Sequence, residues 1–143
     1  MNAAEQAISL EFASKIGAVV HIFKSRFPDL RADLKPWASD PETLDLVDPD
    51  SIDLGFHFPG VSRPFKCRSL LVQTRFFRDP QSQSPRLIGV DISGFDHRGK
   101  RWNLSTVGAW QVTGDLSPMD QVKDQLKDCC RQIFDLFDQM NVA

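Results

Sequence analysis

RLIGVDISGFDHRGKRWNLSTVGAWQV, residues 86–112, decides the fold. Ile88, Val90 and Ile92 recur at every second position before the charged centre. Trp102, Leu104, Thr106, Gly108, Trp110 and Val112 do so after it. A period of two is the signature of a strand with one face on a core. Between the runs stands DHRGK, where Gly99 supplies the positive φ that a tight turn needs. Strands joined so tightly must be antiparallel, because a parallel neighbour needs a crossover of a dozen or more residues. The stretch therefore predicts a hairpin, with its second strand running to residue 112. Gly108 marks a bulge or a close backbone approach in that strand.

The same period extends toward the N-terminus. Ile52, Leu54, Phe56 and Phe58 form one run, and Leu70, Val72, Thr74 and Phe76 the next. PGVSRP and DPQSQSP are the turns between runs, so these strands continue the meander. Upstream, LRADLKPW alternates more briefly, and Pro36 makes it an edge or an end. Asp40 before Pro41 reads as an N-cap and first-turn proline, opening one helical turn in an acidic loop that reaches Asp53.

Helices flank the strands. Ile8, Phe12, Ile16, Val19, Val20 and Phe23 make one stripe over residues 4–26, and Pro28 ends it. Ser117, Pro118 and Asp120 read as the cap, first-turn proline and first-turn acid of a C-terminal helix. Its apolar face is Met119, Val122, Leu126, Cys129, Cys130, Ile133, Leu136, Phe137 and Met140. The expected fold is a single α+β domain over residues 1–143, a two-layer sandwich. An antiparallel meander of four to five strands carries the N- and C-terminal helices on one face. Even-numbered strand residues would face the helices, and odd-numbered ones a helix-free surface.

Composition bounds the function. A chain of 143 residues that is 41% hydrophobic and 25% charged suits one folded domain. Its net charge of −2 provides no global attraction to nucleic acid or anionic lipid. IGAVVHIF is too short to span a bilayer, and no leader with a small-residue cleavage site is evident. Three cysteines, an odd number with two of them adjacent, argue against a disulfide framework and for a reducing, cytoplasmic setting without a membrane.

The odd-numbered face mixes polar residues (Asp53, His57, Ser69, Gln73, Arg75, Asp91, Ser93, Arg101, Asn103) with Leu71, Phe77, Phe95 and Val107. Antiparallel sheets often leave such a face simply solvated. As a binding face, it would work through Gln73, Arg75, Phe77, Phe95 and Asn103. Charge is segregated too: residues 60–101 carry 9 Lys and Arg against 3 Asp and Glu, while both flanks are acidic. Arg63, Lys66, Arg68, Arg98, Lys100 and Arg101 on the central hairpins could follow a phosphate backbone. No nucleic-acid-binding motif accompanies them.

Signs of catalysis are sparse. Asp96 and His97 are adjacent, so a strand would send them to opposite faces, and the hairpin tip explains both. His21 reads as a helix residue. His57 stands on the odd face and would have a base-and-orienter pair if Asp53 or Asp91 lay beside it. No metal-ligand spacing, glycine-rich phosphate loop or nucleophile elbow occurs, so neither metal nor cofactor is expected. Trp102 and Trp110 read as core anchors; a ligand cavity between them, Phe56 and Phe58 is the other reading. The leading reading is a non-enzymatic interaction module: an assembly factor, chaperone-like adaptor or regulatory subunit. It would bind a protein partner or a second copy of itself through the helix-free face. Single-stranded nucleic-acid binding comes second. An enzyme or small-ligand binder using His57 with a nearby aspartate comes third.

Overall fold

A computed structural model describes residues 1–6, 9–36, 50–78, 80–81 and 85–138. The Asp40–Pro41 turn, most of the acidic loop, Ile8 and Met140 lie outside the described residues. In chain order the elements are α1 (Ala3–Gln6), α2 (Leu10–Arg26), β1 (Arg31–Asp33), β2 (Ser51–Ser62), β3 (Cys67–Arg78), β4 (Pro85–Asp96), β5 (Gly99–Ser105), β6 (Val112–Gly114) and α3 (Asp120–Asp138).

The strands form one antiparallel sheet in sequence order, β1-β2-β3-β4-β5-β6. This is the expected two-layer α+β arrangement, with six strands instead of four or five. β1 joins the sheet at its edge, with Arg31 opposite His57 and Asp33 opposite Gly55. The β4–β5 hairpin closes with Asp96 opposite Gly99, whose φ is +104°. Asp96 Oδ1 accepts the Arg98 N–H at 2.7 Å, a local turn bond that uses the acid structurally.

Even positions carry the core, as the period predicts. Ile52, Leu54, Phe56, Leu70, Val72, Val90, Ile92, Trp102 and Leu104 pack with Ile16, Val19 and Phe23 of α2. From α3 come Val122, Leu126, Cys129, Cys130, Ile133 and Phe137. Phe23 stacks on Phe56 with ring centroids 4.8 Å apart. Burying several large apolar side chains, at about 1.5–3 kcal/mol each, holds the helices on this face.

Several expectations need correction. The register shifts beside Arg75 and Phe76, so Leu87 enters the core opposite Phe76 and Ile88 turns outward. A bulge adds one residue to a strand and inverts the alternation beyond it. The run from Trp102 to Val112 is two strands, not one. A turn at residues 106–109 separates β5 from β6, with Gly108 at φ +99° and Trp110 at +56°. Trp102 is fully buried, and Trp110, half-buried, packs against the core on Phe134 of α3 and under Arg131, as expected of both. Finally, α3 starts at Asp120, after the Ser117–Pro118 signal, and Met119 is exposed. The Met119 N–H instead bonds the Pro64 carbonyl at 2.9 Å.

The N-terminal helix is likewise in two pieces. Ser9 caps α2 from extended backbone, its Oγ accepting the Phe12 N–H at 3.2 Å. Ser9→Ala is expected to lower stability by about 1 kcal/mol, seen as a lower urea midpoint with an unchanged slope.

Candidate functional site

The helix-free face has a closed middle and two open ends. In the middle, Asp53, Gln73 and Asp91 stand opposite one another on β2, β3 and β4, and all three are buried. Ser51 Oγ donates to Asp53 Oδ1 at 2.7 Å, and the Met1 ammonium lies 2.9 Å from Asp53 Oδ2. Arg75 Nε donates to Asp91 Oδ2, and Asn103 Nδ2 donates to Ser93 Oγ at 2.8 Å. Buried polar groups are retained when they are hydrogen-bonded, and the two carboxylates of this row are.

The five expected binding residues are therefore not one patch. Gln73 is buried in the middle. Arg75, Phe95 and Asn103 are half-buried, and Phe77 is exposed. Phe95 pairs with Ser69 and Phe77 with Arg86, at opposite ends of β3. Eight residues of strand separate them, about 26 Å at 3.3 Å per residue.

One end gathers exposed apolar side chains. Phe77 is 51% exposed, Ile88 50% and Val107 63%. Gly89 pairs with Arg75, so its missing side chain would point to the helix-free face. A Cβ there would lie 2.7 Å from Val107 Cγ2, which places Val107 on the same face. Phe77 and Val107 thus flank the Arg75–Asp91 pair.

The other end centres on His57. Its Nε2 lies 3.1 Å from Asp33 Oδ2; since the carboxylate only accepts, the ring N–H donates. Burial opposes ionisation of Asp33, but the Lys35 backbone N–H, the His57 bond and the Arg31 charge together hold its carboxyl below the ordinary range. The aspartate beside His57 is therefore Asp33, not Asp53 or Asp91. An apolar hollow of about 270 Å³ opens there, lined by Pro36, Gly55, His57, Ser69, Leu71 and Phe95 among others. A second hollow of about 400 Å³ shares His57, Ser69 and Phe95 with it and adds Arg31, Arg68 and His97.

The basic hairpins reach this end. Arg63, Lys66, Arg68, Arg98 and Lys100 are exposed on the two adjacent tips. Arg101 turns inward, its Nε 3.4 Å from Asp96 Oδ2 without hydrogen-bond geometry. The alternative cavity among Trp102, Trp110, Phe56 and Phe58 is not formed. Phe56 and Trp102 are core, and Phe58 tilts against Phe65 at 4.7 Å.

A family model described as a domain of unknown function matches residues 4–139. The chain belongs to that family. No curated protein and no solved structure matches the chain. The family match takes in both long helices, the whole sheet and both open ends of its free face, and it names no activity. Among the described residues, no helix is long and apolar enough to cross a membrane, and no three His, Cys, Asp or Glu are grouped to hold a metal.

Proposed function

We propose that this domain is a non-enzymatic interaction module, an assembly factor, adaptor or regulatory subunit, that pairs with a second copy of itself through the Phe77 end of the helix-free face. One observation carries the reading: Phe77, Ile88 and Val107 are exposed at that end, beside the Arg75–Asp91 ion pair. Large apolar side chains grouped on a surface favour burial against a partner. A cation and an anion side by side are self-complementary, because a twofold axis sets each against its opposite. A standard interface takes about 800 Å² per partner, roughly a tenth of the 8354 Å² surface. Three buried, unpaired thiols support a reducing, cytoplasmic setting.

Two observations weigh on the other readings. The exposed cations at the far end support nucleic-acid binding, but the aromatic side chains beside them, Phe58 and Phe95, are half-buried and offer poor stacking platforms. His57 and Ser69 are register partners, yet no hydrogen bond joins ring to hydroxyl, so the His57–Asp33 pair does not activate the Ser69 hydroxyl.

The test is light scattering coupled to gel filtration over a dilution series. The wild type is expected to run at twice its 16.2 kDa chain mass, and Phe77→Asp with Val107→Asp at the chain mass. Both positions are exposed, so the double variant should melt within a few degrees of the wild type. A monomeric wild type, or a variant that stays dimeric, would overturn the proposal.

A further inference from the structure

We infer that the His57 end of the sheet is a binding site for a small amphipathic carboxylate, its apolar body in the 270 Å³ hollow and its charged head in the 400 Å³ one. The site is separate from the self-association surface and does not depend on it.

The geometry supplies both halves. The smaller hollow is lined by Gly55, Leu70, Leu71, Pro36 and Phe95 beside His57 and Ser69. Gly55 keeps it open, since a Cβ there would come within 3.3 Å of both Asp33 and Pro36. The adjoining hollow brings Arg31, Arg68, His57, His97 and the Ser69 hydroxyl around one mouth. Arg31 and Arg68 make no ion pair among the described residues. The acids at this mouth are already engaged: Asp33 with His57 and the Lys35 N–H, Asp96 with the Arg98 N–H and Arg101. Two guanidinium groups outside any ion pair, of which Arg31 also bears on the Asp33 charge, and a hydroxyl at the rim of an apolar hollow are the complement of a carboxylate on a short hydrocarbon or aryl body. Arginine favours a planar, bidentate acceptor, and the shallow apolar floor limits the body to a compact one.

Octanoate, 1-octanol and a random single-stranded oligonucleotide are the probes, titrated into isotope-labelled full-length protein and followed by amide shifts. Octanoate is expected to move the Gly55, Ser69, Leu71 and Phe95 amides saturably, and to bind at least about tenfold more tightly than 1-octanol. Arg68→Ala and Arg31→Ala should each weaken octanoate about tenfold. Arg98→Ala, on the same hairpin end but outside the hollow, should leave binding unchanged. Both lining arginines are exposed, so folding survives their loss, and the amide spectrum verifies it. The proposal falls if octanol binds as well as octanoate, if Arg98→Ala weakens binding as much as Arg68→Ala, or if none of these amides moves. It falls equally if only the oligonucleotide moves them, which would make this end a nucleic-acid interface. Dimer mass in the light-scattering test reads the other surface and is expected to be unchanged by octanoate.

Discussion

Gly94→Ala is expected to cost about 2–6 kcal/mol, a large share of the 5–15 kcal/mol that holds a domain together. Gly94 stands opposite Trp102, and the indole lies across the space a side chain would take. A Cβ at residue 94 would sit 2.3 Å from Trp102 Cε2 and 2.4 Å from Nε1. Trp102 has nowhere to go: it is fully buried, and Nε1 donates to the Phe65 carbonyl at 2.8 Å. Displacing it strains a close-packed core and leaves a buried donor unpaired, about 1–3 kcal/mol for each effect. Gly60→Ala is the control, since nothing lies within 4 Å of a Cβ there. Urea titrations should separate the two variants clearly. Adding Trp102→Phe to Gly94→Ala should cost less than the two changes do separately, because the smaller ring vacates the contested space. An unchanged Gly94→Ala midpoint would show that the indole is not pinned.

The alternation that identified the sheet misplaced Ile88 for a physical reason. Leu87 and Ile88 are both apolar, so either can fill the core, and the bulge that selects Leu87 arises from pairing with β3. The β5–β6 turn was hidden differently. Thr106, Gly108, Trp110 and Val112 keep the period of two through a turn whose backbone needs positive φ at Gly108 and Trp110. Only the glycine signals this, and a lone glycine in a strand pattern equally suggests a bulge. The split near Ser9 is masked because the apolar stripe from Ile8 to Phe23 keeps its spacing across it.

The site was legible residue by residue, not as an arrangement. Placing His57 on the helix-free face needs only strand parity. Finding its partner needs β1 to pair with β2 across 24 residues of chain, a non-local choice that no spacing encodes. Gln73 looked exposed because it is polar. It is buried because it stands on the inner strand β3, with Asp53 on β2 and Asp91 on β4 on either side of it. The meander order itself places the β2–β3 and β4–β5 turns at one end of the sheet. The clustering of cations there follows from the charge count once the strands are known to be sequential.

Stability is expected to fall steeply as pH rises above about 9, and the three thiols are the cause. Burial pushes Cys67 up to about 12, with Asp96 adding to it. It pushes Cys129 up to about 11, with Asp128 adding and Arg26 opposing. It pushes Cys130 up to about 12, with Cys129 and Asp91 adding and Arg131 opposing. In the unfolded chain these thiols ionise near 9, while in the fold they stay neutral. The folded state therefore binds more protons between those values, and the stability it gains is full below pH 9 and lost as pH climbs toward 12. Each thiol contributes a slope of at most about 1.4 kcal/mol per pH unit, so the three together can remove several kcal/mol by pH 11. The chain has no tyrosine, which removes the usual competing alkaline titration. Replacing all three cysteines with alanine should flatten the pH dependence of the urea-derived stability, whatever it does to the value at neutral pH. Lysine and arginine are common to both proteins, so the difference in slope isolates the thiols. Equal slopes in wild type and triple variant would mean that the thiols reach water and ionise within the fold. Iodoacetamide distinguishes the same two cases at pH 8, since a thiol held neutral in the core has no thiolate to react.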